Sequence, residues 1–109
     1  MTSETNNSEA RDYLTRMGLA FRYQTRPALD PVRTLGVNHP ERFALLTSAW
    51  QRCLDAARTV HSRYEEDRNS SGPLSEIAVE VRNCALSGLA RTWEHLVDGY
   101  LSDIAEADQ

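Results

Sequence analysis

The stretch of sequence that decides the fold runs from Phe43 to Tyr64 and reads FALLTSAWQRCLDAARTVHSRY. Its apolar and weakly polar residues recur at alternating steps of three and four, namely Phe43, Leu46, Trp50, Cys53, Ala57, Val60 and Tyr64. This spacing keeps all seven side chains on one face of an α-helix. Because such a face is stable only when it is buried, the stretch needs a neighbour with a matching apolar surface.

A second helix is predicted directly downstream, across a short loop. The sequence DRNSSGP favours a turn, and Pro73 suits the first turn of a helix. No further proline follows between Leu74 and Ala105. We therefore expect one helix from about residue 39 to 67 and another from about residue 74 to 105, packed antiparallel as a hairpin.

The predicted second helix has an apolar surface too wide for one neighbour. Its polar residues form a single narrow stripe, and most of the remaining circumference is apolar. The Phe43–Tyr64 face can cover one side of this helix. The other side needs the N-terminal segment, a second copy of the chain or a partner, and it carries Leu86, Trp93, Val97 and Ile104.

The N-terminal third is predicted to hold short helices. Residues 1–7 are expected to be a disordered tail, and residues 8–107 a single helical domain. The residues from Leu19 to Tyr23 alternate as in a strand, but no partner strand is predicted, so we expect coil or a continued helix. The expected caps and stops of the helices are Ser8, Gly18, Asp30 before Pro31, Gly36, and Asn38 with Glu41.

The predicted fold is therefore all-α. It consists of a long antiparallel helical hairpin with one or two short N-terminal helices packed on it, which makes a three- to four-helix bundle. A chain of 109 residues with 40% hydrophobic residues has the size and composition of one folded domain. No apolar stretch is long enough to cross a membrane, and the start of the chain has no signal-peptide pattern, so a cytoplasmic protein is expected.

No motif for catalysis, for a cofactor or for a metal occurs in the sequence. The two cysteines, Cys53 and Cys84, have no metal-ligand spacing, and the histidines are scattered along the chain. We therefore predict a protein without cofactor, metal or catalytic residues, and not an enzyme. A metal-free helical nuclease that uses His39, His61 and His95 is kept as a third hypothesis.

The segment FRYQTR, residues 21–26, interleaves Arg22 and Arg26 with two aromatic residues, and Arg33 adds to this basic region. Such a surface could contact phosphates and stack on bases. It could also cover the second helix, with Phe21 and Tyr23 inward and the arginines in solvent. The net charge of −4 argues against a general nucleic-acid binder.

The predicted function is that of a small protein–protein interaction module, which acts as an adapter, regulator or inhibitor of a larger complex. Small phage- or mobile-element-encoded inhibitors of host defence share this size, acidity and lack of motifs. The partner is expected to be another protein or complex, or a second copy of the chain. The alternative is a helical accessory subunit that contacts nucleic acid within a larger ribonucleoprotein or DNA-binding assembly. The predicted partner-binding residues are Arg22, Tyr23, Arg26, Arg33, Leu86, Trp93, Val97 and Ile104.

Overall fold

The structure, a computed structural model, describes residues 2–25 and 32–107, and these ranges contain helices and no strand. In chain order the helices are α1 (Thr2–Met17), α2 (Leu19–Tyr23), α3 (Arg33–Asn38), α4 (Pro40–Asn69) and α5 (Pro73–Ala107). Helices α4 and α5 pack along each other as the antiparallel hairpin, and the three shorter helices pack on it. The prediction of an all-α bundle built on a long hairpin is confirmed.

The hairpin turns at residues 70–72. Gly72 has a φ angle of 92°, a conformation that favours glycine, and Pro73 begins α5 as predicted. From α4, the predicted seam buries Leu46, Cys53 and Ala57 in the same core cluster as Trp93 of α5. The stripe that the sequence shows between Phe43 and Tyr64 is therefore an inner face of the hairpin.

Helices α1 and α2 cover the second side of α5. Leu14, Met17 and Phe21 are almost fully buried, and they share the core cluster with Trp93 and Val97. Helix α1 packs on α5, whereas α2 packs on both long helices and α3 packs on α4. The sequence left three candidates to cover this side: the N-terminal segment, a second copy or a partner. In the structure the N-terminal segment covers it.

Several helix ends differ from the predicted ones. Helix α1 begins at Thr2 rather than at Ser8, and α3 runs through Gly36 to Asn38. A Cβ atom on Gly36 would lie 2.9 Å from Cδ2 of Phe43, so this glycine permits a close contact and does not end the helix. The predicted caps Asp30 and Pro31 lie outside the described residues. The division into a tail of residues 1–7 and a domain of residues 8–107 stays a prediction.

The start of α4 also differs from the prediction. Asn38 is the last residue of α3, and His39 occupies the N-cap position of α4 without a side-chain capping hydrogen bond. Pro40 follows as the first helical residue, where its missing N–H leaves one fewer donor to satisfy. Proline therefore starts this helix in place of the predicted capping box.

The molecule is elongated, with principal extents of 57 × 18 × 17 Å. The short helices cover the two long ones unevenly, because α5 buries only Ala78 in its first part but six residues from Leu86 to Ile104. The part of the hairpin near its turn therefore keeps aliphatic side chains exposed. None of the described helices combines the length and apolarity needed to cross a lipid bilayer.

Candidate interaction surfaces

Two tryptophan side chains fix the C-terminal end of α1. The indole Nε1–H of Trp93 donates to the carbonyl of Leu14 at 2.5 Å, and that of Trp50 donates to the carbonyl of Met17 at 3.0 Å. The last carbonyls of a helix have no hydrogen-bond donor within the helix. The N–H of Gly18 donates to the carbonyl of Thr15, which leaves those of Leu14 and Met17 for the two indoles. The hairpin thus supplies the donors that the end of α1 lacks.

Helix α2 is held in the same way. The carbonyl of Phe21 lies 2.8 Å from Nε2 of His61, which is the distance of a hydrogen bond. The Phe21 ring meets Trp93 edge-on, with ring centroids 6.3 Å apart, and Ala20 beside it is buried. Contacts with both long helices therefore set the orientation of this five-residue helix.

The opposite face of α2 is open and apolar. Leu19 is 53% exposed and Tyr23, one turn later, is 63% exposed. Between them Arg22 points to the neighbouring helix, where its Nη2 donates to Oγ of Ser87 at 3.5 Å. We call Leu19, Arg22 and Tyr23 the α2 surface.

A pocket of about 170 Å³ lies between α2 and α5. Its walls include Arg22 and Tyr23 from α2 and Leu86 and Trp93 from α5, with Glu94 adding a carboxylate. Four of the eight predicted partner-binding residues therefore meet in one place, and two of them, Leu86 and Trp93, are themselves almost fully buried there. Leu19 also lines this pocket and is not among the predicted residues, because the expectation of coil or a continued helix does not place Leu19 and Tyr23 together on one helical face.

The other four predicted residues do not join this group. Val97 and Ile104 are buried in the core, so contact with a partner would require the core to open there. Arg33 is the exposed first residue of α3, and Arg26 lies outside the described residues. A partner-binding role for the eight residues stays a prediction, as does the nucleic-acid alternative.

A second open surface runs along α5. It consists of uncharged, exposed residues that recur at steps of three or four, and we call it the outer stripe: Leu74, Ile77, Val81, Cys84, Gly88, Thr92, His95 and Gly99. By helical spacing it faces away from Leu86, Trp93 and Val97, which contact the N-terminal helices. The sequence reading assigned the open apolar surface to those covered residues and so missed this stripe.

A groove of about 160 Å³ separates α4 and α5 nearer to the turn. Its walls include Tyr64 and Arg82, and the guanidinium carbon of Arg82 lies 4.0 Å from the centroid of the Tyr64 ring. This is the geometry of a cation–π contact. The contact accounts for an arginine that lies close to the apolar seam of the hairpin.

The histidine and cysteine side chains lie apart from one another. His61 contacts the Phe21 carbonyl, His39 precedes α4, and His95 lies on the outer stripe. Among the described residues, no three His, Cys, Asp or Glu side chains form a group that could hold a metal ion. Burial raises the pKa of the Cys53 thiol, whereas Cys84 is exposed.

Comparisons with protein-family models, with curated proteins and with solved structures found no match.

Proposed function

We propose that the protein is a small non-enzymatic interaction module that binds a larger protein or complex through the α2 surface. It would act there as an adapter, regulator or inhibitor, a class that includes the small inhibitors of host defence encoded by phage and mobile elements. The observation that carries the proposal is that Leu19 and Tyr23 are exposed side by side on a short helix that is packed against both long helices.

The first support is the order of α2. A helix of five residues is not stable alone in water, because too few hydrogen bonds repay the cost of nucleation. The Phe21–His61 contact holds the middle of its backbone, and the Trp50–Met17 bond holds the last residue of α1 just before it. The exposed side chains are therefore presented in one orientation, which lowers the entropy lost on binding.

The second support is the chemistry of the exposed face. Tyrosine and arginine are enriched at protein interfaces, and both stand on this short helix beside an exposed leucine. The pocket next to them has an apolar wall of Leu86 and Trp93. It suits one aliphatic or aromatic side chain of a partner, with Arg22 placed to meet a carboxylate.

The experiment compares capture of partners from the native host by two variants. Leu19→Ser with Tyr23→Ser removes the apolar contacts from the α2 surface, whereas Leu45→Ser changes a residue that is 73% exposed on α4. Quantitative mass spectrometry should show that the first variant loses a specific partner that the second retains. Circular dichroism of both variants should match that of the unchanged protein. Equal capture by all three proteins would contradict the proposal.

A further inference from the structure

We propose that the outer stripe of α5 is the interface of a homodimer, in which α5 of a second copy packs antiparallel across a two-fold axis between Cys84 and Gly88. This interface lies on the side of α5 away from the α2 surface. It is therefore independent of the proposed function.

The length and composition of the stripe suit helix pairing. Its eight residues extend over about 37 Å of α5. The average step from one to the next is between 3.5 and 3.6 residues, close to one helical turn, so the stripe runs almost straight along the helix. All eight are exposed, and none is charged. An uncharged seam of this length matches the contact line of two packed helices.

The two halves of the stripe differ in size. The half near the turn carries the aliphatic residues Leu74, Ile77 and Val81, which are 55%, 45% and 49% exposed. The far half carries Gly88, Thr92, His95 and Gly99, and no atom lies within 4 Å of the Cβ position of either glycine. The stripe is therefore aliphatic towards the turn, and its far half has two open glycine positions with Thr92 and His95 between them.

An antiparallel copy sets the aliphatic half of each stripe against the half of the other stripe that holds the two glycines. With the axis between residues 84 and 88, Cys84 faces Gly88 of the other copy, and Leu74 lies within one residue of the level of Gly99. A parallel copy would instead place the aliphatic residues against each other and the glycines against each other, which leaves gaps. The fit of the aliphatic half against the half with the glycines therefore favours a second, antiparallel copy of this chain on the outer stripe.

The charges beside the stripe agree with the same axis. Glu80 and Arg91 lie on the same flank by helical spacing, and neither makes an ion pair within the described chain. To within one residue they lie at equal distances on either side of the axis, so Glu80 of each copy comes beside Arg91 of the other. In a parallel pair related by a two-fold axis along the helices, the flank that carries Glu80 and Arg91 would lie on opposite sides of the interface in the two copies, so the Glu80–Arg91 pairing would be lost.

The first test uses Gly88→Glu. The site has open space and lies within a helix, where glycine is less favourable than other residues, so the monomer should fold normally. In the dimer the new carboxylate would be buried against Cys84. Analytical ultracentrifugation should show a dimer for the unchanged protein and a dissociation constant raised by more than about tenfold in the variant.

Ser62→Glu serves as the matched control, because it adds the same charge at an exposed position of α4 directed away from α5 by helical spacing. This variant should dimerise like the unchanged protein. Three results would each overturn the proposal: a chain that is monomeric up to millimolar concentration, a dimer that tolerates Gly88→Glu, or equal loss of the dimer in both variants. Binding of the stripe only to a different protein would appear as the first of these.

The second test addresses orientation. Glu80→Arg alone and Arg91→Glu alone should each weaken the dimer about tenfold, since each places like charges together at two symmetric positions. The double variant should restore the original dissociation constant, because it only exchanges the two partners. A double variant as weak as the single variants would show that Glu80 and Arg91 do not face each other, and would overturn the antiparallel arrangement.

Discussion

At the scale of single residues, two indole N–H groups hold the C-terminal end of α1. Trp93 and Trp50 donate to the carbonyls of Leu14 and Met17, which a helix end would otherwise leave without partners. Each such bond contributes about 1 kcal/mol, and a buried carbonyl left unpaired costs about 1–3 kcal/mol. Gly18 makes the approach possible, because a Cβ atom there would lie 2.9 Å from Cδ1 of Trp93.

Tyr100 gives a prediction at the same scale. It is 6% exposed, its hydroxyl has no hydrogen-bond partner in the described part of the chain, and burial raises its pKa to about 12. The unfolded chain releases the phenolic proton near pH 10, whereas the folded chain keeps it until about pH 12. The free energy of unfolding should therefore be unaffected by this group below pH 10 and fall by about 2 kcal/mol as the pH rises to 12.

Tyr100→Phe tests this expectation, since it removes the hydroxyl and leaves the other tyrosines unchanged. At neutral pH the variant should be as stable as the unchanged protein or slightly more stable, because an unpaired buried hydroxyl is lost. Urea unfolding at pH 9 and pH 11.5 should show the variant gaining relative stability at the higher pH. A constant difference between the two proteins would contradict the assignment.

At the scale of elements, α1 docks through its apolar face rather than through its ion pair. Leu14 is fully buried, whereas Arg11 and Asp98, which form the ion pair between α1 and α5, have side chains 52% and 56% exposed. Exposed ion pairs contribute little because water and salt screen them. The burial of aliphatic side chains therefore provides most of the energy that holds α1 on α5.

Paired variants of α1 separate these two contributions. Leu14→Ala should lower the free energy of unfolding by about 2–5 kcal/mol, through lost burial and the cavity that remains. Arg11→Ala should lower it by less than about 1 kcal/mol, and raised salt should reduce even this difference. Chemical denaturation of both variants measures the two values, and similar losses would show that the ion pair matters more than its exposure indicates.

The same elements show how far sequence reading reached. The hairpin was predictable because helical spacing from Phe43 to Tyr64 is a local signal, and Pro73 marks the next helix. Gly36 was misread as a stop, because its contact with Phe43 exists only in the folded molecule. Arg22 and Tyr23 were selected as a local basic and aromatic segment, but nothing local brings them beside Leu86 and Trp93 in one pocket.

At the scale of the whole molecule, the long hairpin sets the shape. The radius of gyration of the Cα atoms is 16.7 Å, whereas a compact domain of this length has about 13 Å. A helix of 35 residues is about 52 Å long by itself, so α5 accounts for most of the 57 Å extent. A rod of this kind offers long side surfaces and small ends.

Small-angle X-ray scattering can therefore test the proposed register. The two-fold axis lies about four residues from the middle of α5, so the copies are displaced by about 12 Å and the dimer should be about 70 Å long. Its cross-section should roughly double. An end-to-end dimer would instead be about 110 Å long with an unchanged cross-section, and that result would contradict side-by-side packing.

The two tryptophan contacts also make the protein its own optical probe. Because Trp93 is fully buried and Trp50 is half-buried against the same helix end, their fluorescence depends on α1 and α2 remaining in place. Undocking of the N-terminal helices would bring both indoles into water and shift their emission to longer wavelength. Movement of these helices on partner binding can thus be followed without any added label.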